Sequence, residues 1–406
     1  MNITDKFPAF HSKNYRLFFI GQGLSLIGSW MSQTSSIWLV YHLTKSPSLL
    51  GLVAFSSQIP SVILLPIAGV ISDRINRHKF ILLTQVLSMI VIAILTTLCF
   101  TKTINVVHLF IISFISGTIS AFDVPVRQSF ISELVEQKQD LPNAIALNAS
   151  MFNGARLIGP AIAGIMIAKI GVAYCYLIDS ISYLAVLIAF ISMRIKNAAP
   201  KTNVNQTKSG FETFKEGWKY TFNDPLIKLI IFLLAFMSFM GFQYTVLNPI
   251  FAKGDPEILG YLMSASGIGA FTGAIYLSSR KKELFGLIKY IAFAPIFTGI
   301  GLMIYAYSPF LWLSLIMMFA VGLSFILQFV SSNTLIQTIV DDDKRGRVLS
   351  IYALAFFGIL PFGGLYAGFS AKYIGANNTL LIAGLCCVLF SSILSRKLLK
   401  IKLDIV

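Results

Sequence analysis

The sequence predicts an all-α membrane protein with twelve transmembrane helices arranged in two six-helix bundles. Three observations support this prediction: the composition, the spacing of the apolar runs and the distribution of basic residues between them. Of the 406 residues, 56% are hydrophobic and 12% are charged, whereas soluble domains carry about 25% charged residues. A water-soluble protein of this size could not bury so much apolar surface, so we expect a chain that crosses a membrane many times.

Twelve apolar runs are long enough to cross a bilayer, which requires about 20 predominantly apolar residues. Several of them exceed this minimum, which allows the helices to tilt or to extend beyond the membrane. The predicted spans are 15–41, 48–72, 80–101, 106–131, 142–168, 172–194, 226–252, 257–279, 285–306, 309–339, 348–371 and 376–395.

The basic residues predict the orientation of the spans. Of the 32 Lys and Arg residues, 26 lie at the termini, in the even-numbered loops or at the span ends next to them, and five lie in the odd-numbered loops. Basic loops stay in the cytoplasm, so we expect both termini there, as an even number of spans requires. The same rule accounts for the net charge of +15, and we therefore expect no nucleic-acid partner.

One long polar stretch divides the chain. We predict an N-terminal six-helix bundle over 1–195, a cytoplasmic linker over 196–224 and a C-terminal six-helix bundle over 225–406. Within the linker, four aromatic residues recur at helical spacing with lysines beside them, which predicts an amphipathic helix on the inner membrane surface. These aromatic residues are Phe211, Phe214, Trp218 and Phe222.

The two predicted bundles also echo each other in sequence. Residues 134–160 align loosely with residues 339–361, and each stretch is a charged turn followed by an apolar helix that ends in proline. Internal repeats of this kind are typical of transporters in which two bundles rock around a site at mid-membrane.

Two motifs resemble those of the major facilitator superfamily. The turn GVISDRINRHK, Gly69 to Lys79, resembles the loop between helices 2 and 3 of that superfamily. In span five, GARLIGPAIAG resembles the fifth-helix motif of its exporters, although Ala163 stands where glycine is usual. The motif residues are Gly154, Gly159, Pro160 and Gly164. The resemblance implies the twelve-helix facilitator fold and favours efflux over uptake.

Longer stretches, densest at 125–185 and 330–370, resemble the enterobactin-exporter branch of the superfamily. This resemblance implies a bacterial inner-membrane exporter of a siderophore or another small amphiphilic molecule, although an importer would share the fold. We expect a monomer in the lipid bilayer with a small-molecule substrate. No cofactor is expected, and the proton gradient is the expected energy source.

Apart from residues at the ends of the spans, four ionisable residues fall clearly within them: Asp123, Arg127, Arg156 and Asp179. Such residues are functional candidates by default. In the superfamily, an acidic residue at the position of Asp123 pairs with the second arginine of the helix 2–3 loop, here Arg77. The resemblance therefore implies a cytoplasmic gate formed by Gly69, Asp73, Arg77 and Asp123. The alternative is an Asp123–Arg127 pair within one helix.

Arg156 and Asp179 lie at similar predicted depths when 1.5 Å is counted per helical residue. One hypothesis is that Arg156 attracts an anionic group of the substrate while Asp179 exchanges a proton. The alternative is a structural ion pair between spans five and six. Many drug/proton antiporters have an acidic residue in their first helix, which this chain lacks there. Asp179 is therefore the remaining candidate for a proton carrier.

Neutral polar side chains recur in spans one, seven and ten, which the resemblance places around the central cavity. The substrate-binding candidates among them are Gln22, Gln33, Gln243, Tyr244, Asn248 and Gln328. For each of them, a hydrogen bond to a neighbouring helix is the alternative role.

Other functional classes receive little support from the sequence. An intramembrane lipid-modifying enzyme would require a nucleophile with a base or a metal-binding set, but the four histidines lie at loops or span ends and no HExxH pattern occurs. We therefore expect no catalytic residue and no metal site. The sequence has no P-loop motif for direct ATP use, and nothing in it resembles the selectivity filter of a channel.

Overall fold

The computed structural model describes residues 7–72, 75–193, 210–279 and 284–401. These residues form thirteen α-helices. The helices are α1 (Lys13–Thr44), α2 (Pro47–Ser72), α3 (Arg77–Phe100), α4 (Val106–Leu134), α5 (Leu141–Lys169), α6 (Val172–Ile191), α7 (Gly210–Asn223), α8 (Pro225–Phe251), α9 (Pro256–Ser279), α10 (Leu284–Ala306), α11 (Leu311–Ile339), α12 (Asp342–Ile374) and α13 (Ala376–Lys400). Every predicted span overlaps one helix, and α7 lies in the predicted linker.

Eleven stretches of the described helices are long and apolar enough to cross a membrane. The remaining predicted span is α1, which has 32 residues and is therefore about 48 Å long. Polar side chains dilute its hydropathy, and they are buried within the protein: Gln22, Ser25, Ser32, Thr34 and Ser35. The prediction of an all-α, multi-pass membrane protein is confirmed.

The largest difference at a helix end concerns α12, which begins at Asp342 rather than at the predicted 348. Asp342 and Asp343 occupy its first turn, where carboxylates interact favourably with the positive end of the helix dipole. The charged turn that precedes the apolar part of α12 is therefore helical as well. Both α8 and α12 also contain a π-helical turn, at Met237–Gly241 and Leu354–Gly358.

The chain divides into two compact units. Unit 1 comprises Met1–Lys45, Ser56–Asn203 and Ala252–Ser264, and unit 2 comprises Ser46–Phe55, Val204–Phe251 and Ala265–Val406. The start of α2 therefore belongs to unit 2, and the start of α9 belongs to unit 1. The predicted division at residues 195 and 225 stays a prediction.

In unit 1, α5 crosses the start of α9 at small residues. A Cβ atom added to Gly164 would lie 2.5 Å from the carbonyl oxygen of Pro256, and one added to Gly260 would lie 2.6 Å from the carbonyl oxygen of Pro160. Real side chains do not tolerate such distances, so glycine is required for this close backbone approach. We call this contact the α5–α9 crossing.

In unit 2, α12 crosses the start of α2 in the same way. A Cβ atom added to Gly368 would lie 2.6 Å from the carbonyl oxygen of Pro47, and one added to Gly51 would lie 2.8 Å from that of Gly364. We call this contact the α2–α12 crossing. Both crossings place a Pro-x-x-x-Gly start against a helix with small residues four positions apart, and this equivalence supports the predicted internal repeat.

A second pair of contacts repeats as well. A Cβ atom added to Gly117 of α4 would lie 2.1 Å from the carbonyl oxygen of Ser57, and one added to Gly322 of α11 would lie 2.0 Å from that of Ser266. Ser57 follows Gly51 by six residues, as Ser266 follows Gly260. The equivalent spacing fixes α4 on α2 and α11 on α9 in the same register.

Candidate functional site

Arg156 lies on α5 beside two aromatic rings of unit 1. Its guanidinium carbon is 5.9 Å from the ring centroid of Trp30, and Trp30 packs edge-to-face on Phe152 with 5.7 Å between ring centroids. Gly159 permits this approach of α5 to α1, because a Cβ atom there would lie 2.5 Å from the Cβ of Trp30. Arg156 is half-buried, whereas Phe152 is exposed. The arrangement presents a positive charge next to apolar rings.

Asp179 lies on α6 and is buried against α1, with 1% of its surface exposed. A Cβ atom added to Gly28 would lie 2.7 Å from its Oδ1 atom, so glycine makes room for the carboxyl. The hydroxyls of Ser29, Ser32 and Ser182 lie near it, but Oδ1 is without a hydrogen-bond partner among the described residues.

Asp179 and Arg156 occupy separate environments. No ion pair joins them among the residues that the structure describes; Arg156 faces Trp30, while Asp179 is enclosed between α1 and α6. The structural pair between spans five and six, one of the two predicted alternatives, is therefore not formed in this structure. The roles predicted for these residues in substrate and proton binding stay predictions.

Asp123 on α4 forms a compact polar cluster with α3. Its Oδ1 atom accepts hydrogen bonds from the hydroxyl of Thr84 at 2.6 Å and from the amide of Gln85 at 3.1 Å. Its Oδ2 atom lies 3.3 Å from the Nε atom of Arg127. This is the within-helix pair that the sequence offered as the alternative to the gate.

The predicted Arg77–Asp123 ion pair is not formed in this structure, because Arg77 pairs with Glu133 at 2.7 Å. The helices α3 and α4 are antiparallel neighbours joined by a short turn, so the start of α3 is level with the end of α4. Ten residues separate Asp123 from Glu133, or about 15 Å along the helix axis. Thr84, one to two turns into α3, is level with Asp123 instead.

Two other residues of the predicted gate cannot be placed in this cluster. Asp73 lies outside the described residues. Gly69 lies within α2, but its surroundings are not among the described side-chain environments. The gating role of these residues therefore stays a prediction.

The exporter-type motif of α5 divides into packed and open positions. Gly159 contacts α1, and Pro160 and Gly164 contact α9, as the distances above show. Gly154 differs, since a Cβ atom there would meet no atom within 4 Å. Three of the four motif residues therefore serve close helix packing, and Gly154 has open space beside it.

The polar candidates of unit 2 are buried. Tyr244 shares a hydrogen bond of 2.9 Å with the hydroxyl of Ser266, and the side-chain oxygen Oδ1 of Asn248 accepts one of 2.9 Å from the hydroxyl of Tyr305. Gln243 donates to the carbonyl oxygen of Phe239. Among the described residues of unit 2, three buried side-chain amide atoms lack a hydrogen-bond partner: Gln243 Oε1, Asn248 Nδ2 and Gln328 Nε2. These groups retain hydrogen-bonding capacity for water or a solute.

The two glutamines of α1 differ in exposure. Gln33 is exposed, one helical turn from Trp30, whereas Gln22 is 3% exposed and its Oε1 atom has no partner among the described groups.

Sequence reasoning missed several residues that contact the predicted site residues, namely Trp30, Thr84, Gln85, Glu133, Ser266 and Tyr305. Counting helical depth on both sides of the α3–α4 turn identifies Glu133 and Thr84. The aromatic partner of Arg156 has no comparable signal in the sequence.

The sequence profile of a family described as transmembrane secretion effectors matches residues 4–404. The chain belongs to the transmembrane secretion effector family. The chain is a transporter of the major facilitator superfamily, as its motifs predict, and its relatives are transporters rather than enzymes.

Curated relatives align over most of this chain. The staphyloferrin A transporter of Staphylococcus aureus is 26% identical over 96% of this chain and 98% of its own. The multidrug efflux pump Tap of Mycolicibacterium fortuitum is 23% identical over 86% and 87%, and a putative bacilysin exporter of Bacillus amyloliquefaciens is 24% identical over 92% and 93%.

Solved structures share the fold of this chain. The nucleoside transporter NupG superposes with a TM-score of 0.69 at 13% identity, covering 96% of this chain and 100% of its own. A bacterial homologue of the lysosomal transporter Spinster superposes with a TM-score of 0.69 at 16% identity, covering 96% and 98%. At these identities the likeness shows the fold alone.

Proposed function

We propose that this protein is a secondary active exporter that moves a small amphiphilic anion out of the cytoplasm by alternating access. The observation that carries the proposal is the half-buried guanidinium of Arg156 over the ring of Trp30, next to the exposed Phe152. A guanidinium binds carboxylates through paired hydrogen bonds, while aromatic faces accommodate the apolar part of the same molecule.

The names of the relatives support this substrate class. One relative is a staphyloferrin A transporter, one is a multidrug efflux pump and one is a putative bacilysin exporter. A siderophore-like or drug-like solute is compatible with all three names. These relatives are bacterial, and the basic even-numbered loops favour a cytoplasmic membrane protein with both termini inside. We propose that it acts as a monomer.

In this proposal a neutral polar group of unit 1 assists in the recognition of the solute. Gln33 is exposed and lies one helical turn from Trp30. Its neutral amide can hydrogen-bond hydroxyl, amide or carboxyl groups of a solute without adding charge. Arg156 is then the charged contact and Gln33 a neutral one. The substrate-binding roles predicted for Gln243, Tyr244, Asn248 and Gln328 stay predictions.

Proton coupling is assigned to Asp179. An ionised carboxylate without a cationic partner is costly inside a protein, and Asp179 is buried without one among the described residues. A carboxyl group in such a place can offset this cost by binding a proton. Asp123 is less suited to this role because Arg127, Thr84 and Gln85 already contact its oxygens.

Comparative mass spectrometry of the growth medium tests the substrate class. Iron-limited cells that lack the protein are complemented with the wild type, with Arg156→Lys or with Arg156→Gln. The proposal predicts that anionic amphiphiles disappear from the medium without the protein and return with the wild type. Arg156→Lys is expected to restore part of the secretion, because lysine keeps the charge but not the guanidinium geometry. Arg156→Gln is expected to lower secretion at least tenfold, the effect of losing about 1.4 kcal/mol of binding.

Two outcomes would contradict the proposal for Arg156. One is a set of lost compounds that are all cationic or neutral, and the other is full secretion by Arg156→Gln at equal protein levels. Lys169→Gln provides the matched control, since it also removes one positive charge from α5 but at an exposed position at the end of the helix. It should leave secretion unchanged.

A further inference from the structure

The linker helix α7 has two opposite faces. Successive helical residues are rotated by about 100°, so Gly217, Tyr220 and Thr221 share one side. Gly217 and Thr221 are buried, and Tyr220 is half-buried. Lys215 and Lys219 lie on the other side of the helix, and both are exposed.

The inner face of α7 is fixed to the beginning of α12. A Cβ atom added to Gly217 would lie 2.8 Å from the Cβ of Arg347, so the two helices touch at that point. Arg347 forms an ion pair of 2.6 Å with Glu216, and the ammonium of Lys344 lies 4.8 Å from the ring centroid of Tyr220. These contacts determine which side of α7 faces outward.

The outer face combines charge with aromatic rings. Trp218 lies next to Lys219 in the sequence and is 45% exposed. Its ring packs on Phe222, one turn further along the helix, with 4.4 Å between the ring centroids. Phe222 in turn packs edge-to-face at 5.8 Å on Phe232, which lies in the membrane-spanning helix α8. The outer face is therefore continuous with the lipid-facing surface of the protein.

We propose that the outer face of α7 binds the headgroups of anionic phospholipids, with Lys215 and Lys219 contacting phosphate and Trp218 and Phe222 entering the interfacial layer. Lysines near an anionic membrane surface are attracted to it, and tryptophan prefers the boundary between headgroups and acyl chains. Both residue types lie on the side of α7 that faces away from α12. Because α7 is fixed to α12, the lipid surface holds the start of that transmembrane helix as well.

Quenching of Trp218 fluorescence by brominated phospholipids tests this interaction. The full-length protein is reconstituted in phosphatidylcholine containing increasing fractions of brominated phosphatidylglycerol. The signal of the Trp218→Phe variant is subtracted to isolate Trp218. We expect quenching to be stronger with phosphatidylglycerol than with brominated phosphatidylcholine, and to weaken as salt screens the lysines. In Lys215→Gln/Lys219→Gln, the fraction required for half-maximal quenching should rise several-fold.

The double variant Lys169→Gln/Lys372→Gln is the matched control, because it removes two exposed lysines at the ends of α5 and α12. It should leave the Trp218 signal unchanged. Equal quenching by the two lipids, or quenching that survives the loss of Lys215 and Lys219, would overturn the proposal. Protection of Trp218 from both lipids by a cytosolic protein would overturn it as well. The measurement needs no substrate, so its outcome is independent of the proposed export function.

Discussion

Gln328 on α11 occupies the position that Asp123 occupies on α4. Each lies six residues after the glycine that packs on a serine carbonyl of a neighbouring helix, Gly322 in one case and Gly117 in the other. Asp123 is bonded to Arg127, Thr84 and Gln85. Gln328 is just as deeply buried, but its amide nitrogen has no partner among the described residues.

The same contrast holds at the buried carboxyl. Asp179 lies eight residues after Gly171, and Ala383 lies eight residues after Gly375; both glycines have positive φ values at the turn before the helix. The backbone is thus repeated while the charge is not. Close contacts of small residues build a scaffold that two halves can share, whereas the four charges in the span interiors lie in the N-terminal half. The proposed function accordingly takes its charged groups for substrate and proton, Arg156 and Asp179, from the N-terminal half.

The largest expected effect is that of Asp179→Asn. The change removes the proton-binding group but keeps the shape of the side chain, so we expect proton-driven export to fall by more than tenfold, with no loss of folded protein. Export in response to an imposed pH gradient, measured in inside-out vesicles, checks this. Asp123→Asn, compared at equal levels of folded protein because it also weakens the Asp123 cluster, is the matched control, as it changes another buried carboxyl of the described spans. Loss of export by Asp123→Asn alone would move the proton site to that residue.

The two crossings test the similarity of the halves rather than their difference, since the same close backbone contacts occur in both. Gly164→Leu and Gly368→Leu each place a side chain within 3 Å of a backbone carbonyl oxygen. We expect each to abolish export or to destabilise the protein by about 1–3 kcal/mol. Apparent melting temperatures in detergent provide the measurement. Gly154→Leu is the control, because that position has open space. Tolerance of one crossing variant and not of the other would break the equivalence of the halves.

The Asp123 cluster should have a smaller effect, confined to stability. Asp123→Asn leaves Arg127 without its carboxylate, and hydrogen bonds to charged groups contribute about 1.5–3 kcal/mol. The double variant Asp123→Asn/Arg127→Gln should recover part of this loss, since no unpaired charge remains. A double-mutant cycle on unfolding free energies measures the coupling. Additive effects would show that the pair seen in the structure contributes little.

The smallest effect is expected at the Arg77–Glu133 pair. Both side chains are 25% exposed, and ion pairs near the surface contribute about 0.2–1 kcal/mol. Arg77→Gln and Glu133→Gln should therefore show a weak coupling that decreases with salt. A coupling free energy of several kcal/mol between Arg77 and Glu133 would contradict this expectation and would favour a gating role for the pair.

The sequence predicts the helices well because each one is a long apolar run bounded by charge or by a turn residue. The internal repeat is also visible in the sequence as proline and glycine at fixed spacing, since only small residues permit the close backbone contacts of the two crossings at Gly51 and Gly164. What the sequence identifies less well is the pairing of side chains. Arg77 was paired with Asp123 by family resemblance, but helical depth decides in favour of Glu133.

The surroundings of Arg156 show a second limit of prediction from the sequence. A charged residue inside a span predicts a partner of opposite charge, and Asp179 was the nearest candidate by depth. Depth alone does not give the direction in which a side chain points, and the rotation of α5 directs Arg156 to Trp30 instead. An aromatic partner leaves no pattern in the charges of the sequence, so this contact requires the structure.

In the proposed mechanism, the charges of the N-terminal half couple export of the solute to the entry of protons. Inside-out vesicles that contain the wild-type protein test this coupling most directly, with an anionic amphiphile from the growth medium as the solute and an acidic lumen as the driving force. We expect the solute to accumulate in the lumen and a proton ionophore to abolish the accumulation. Accumulation that is indifferent to the ionophore, or that occurs only in right-side-out vesicles, would contradict it.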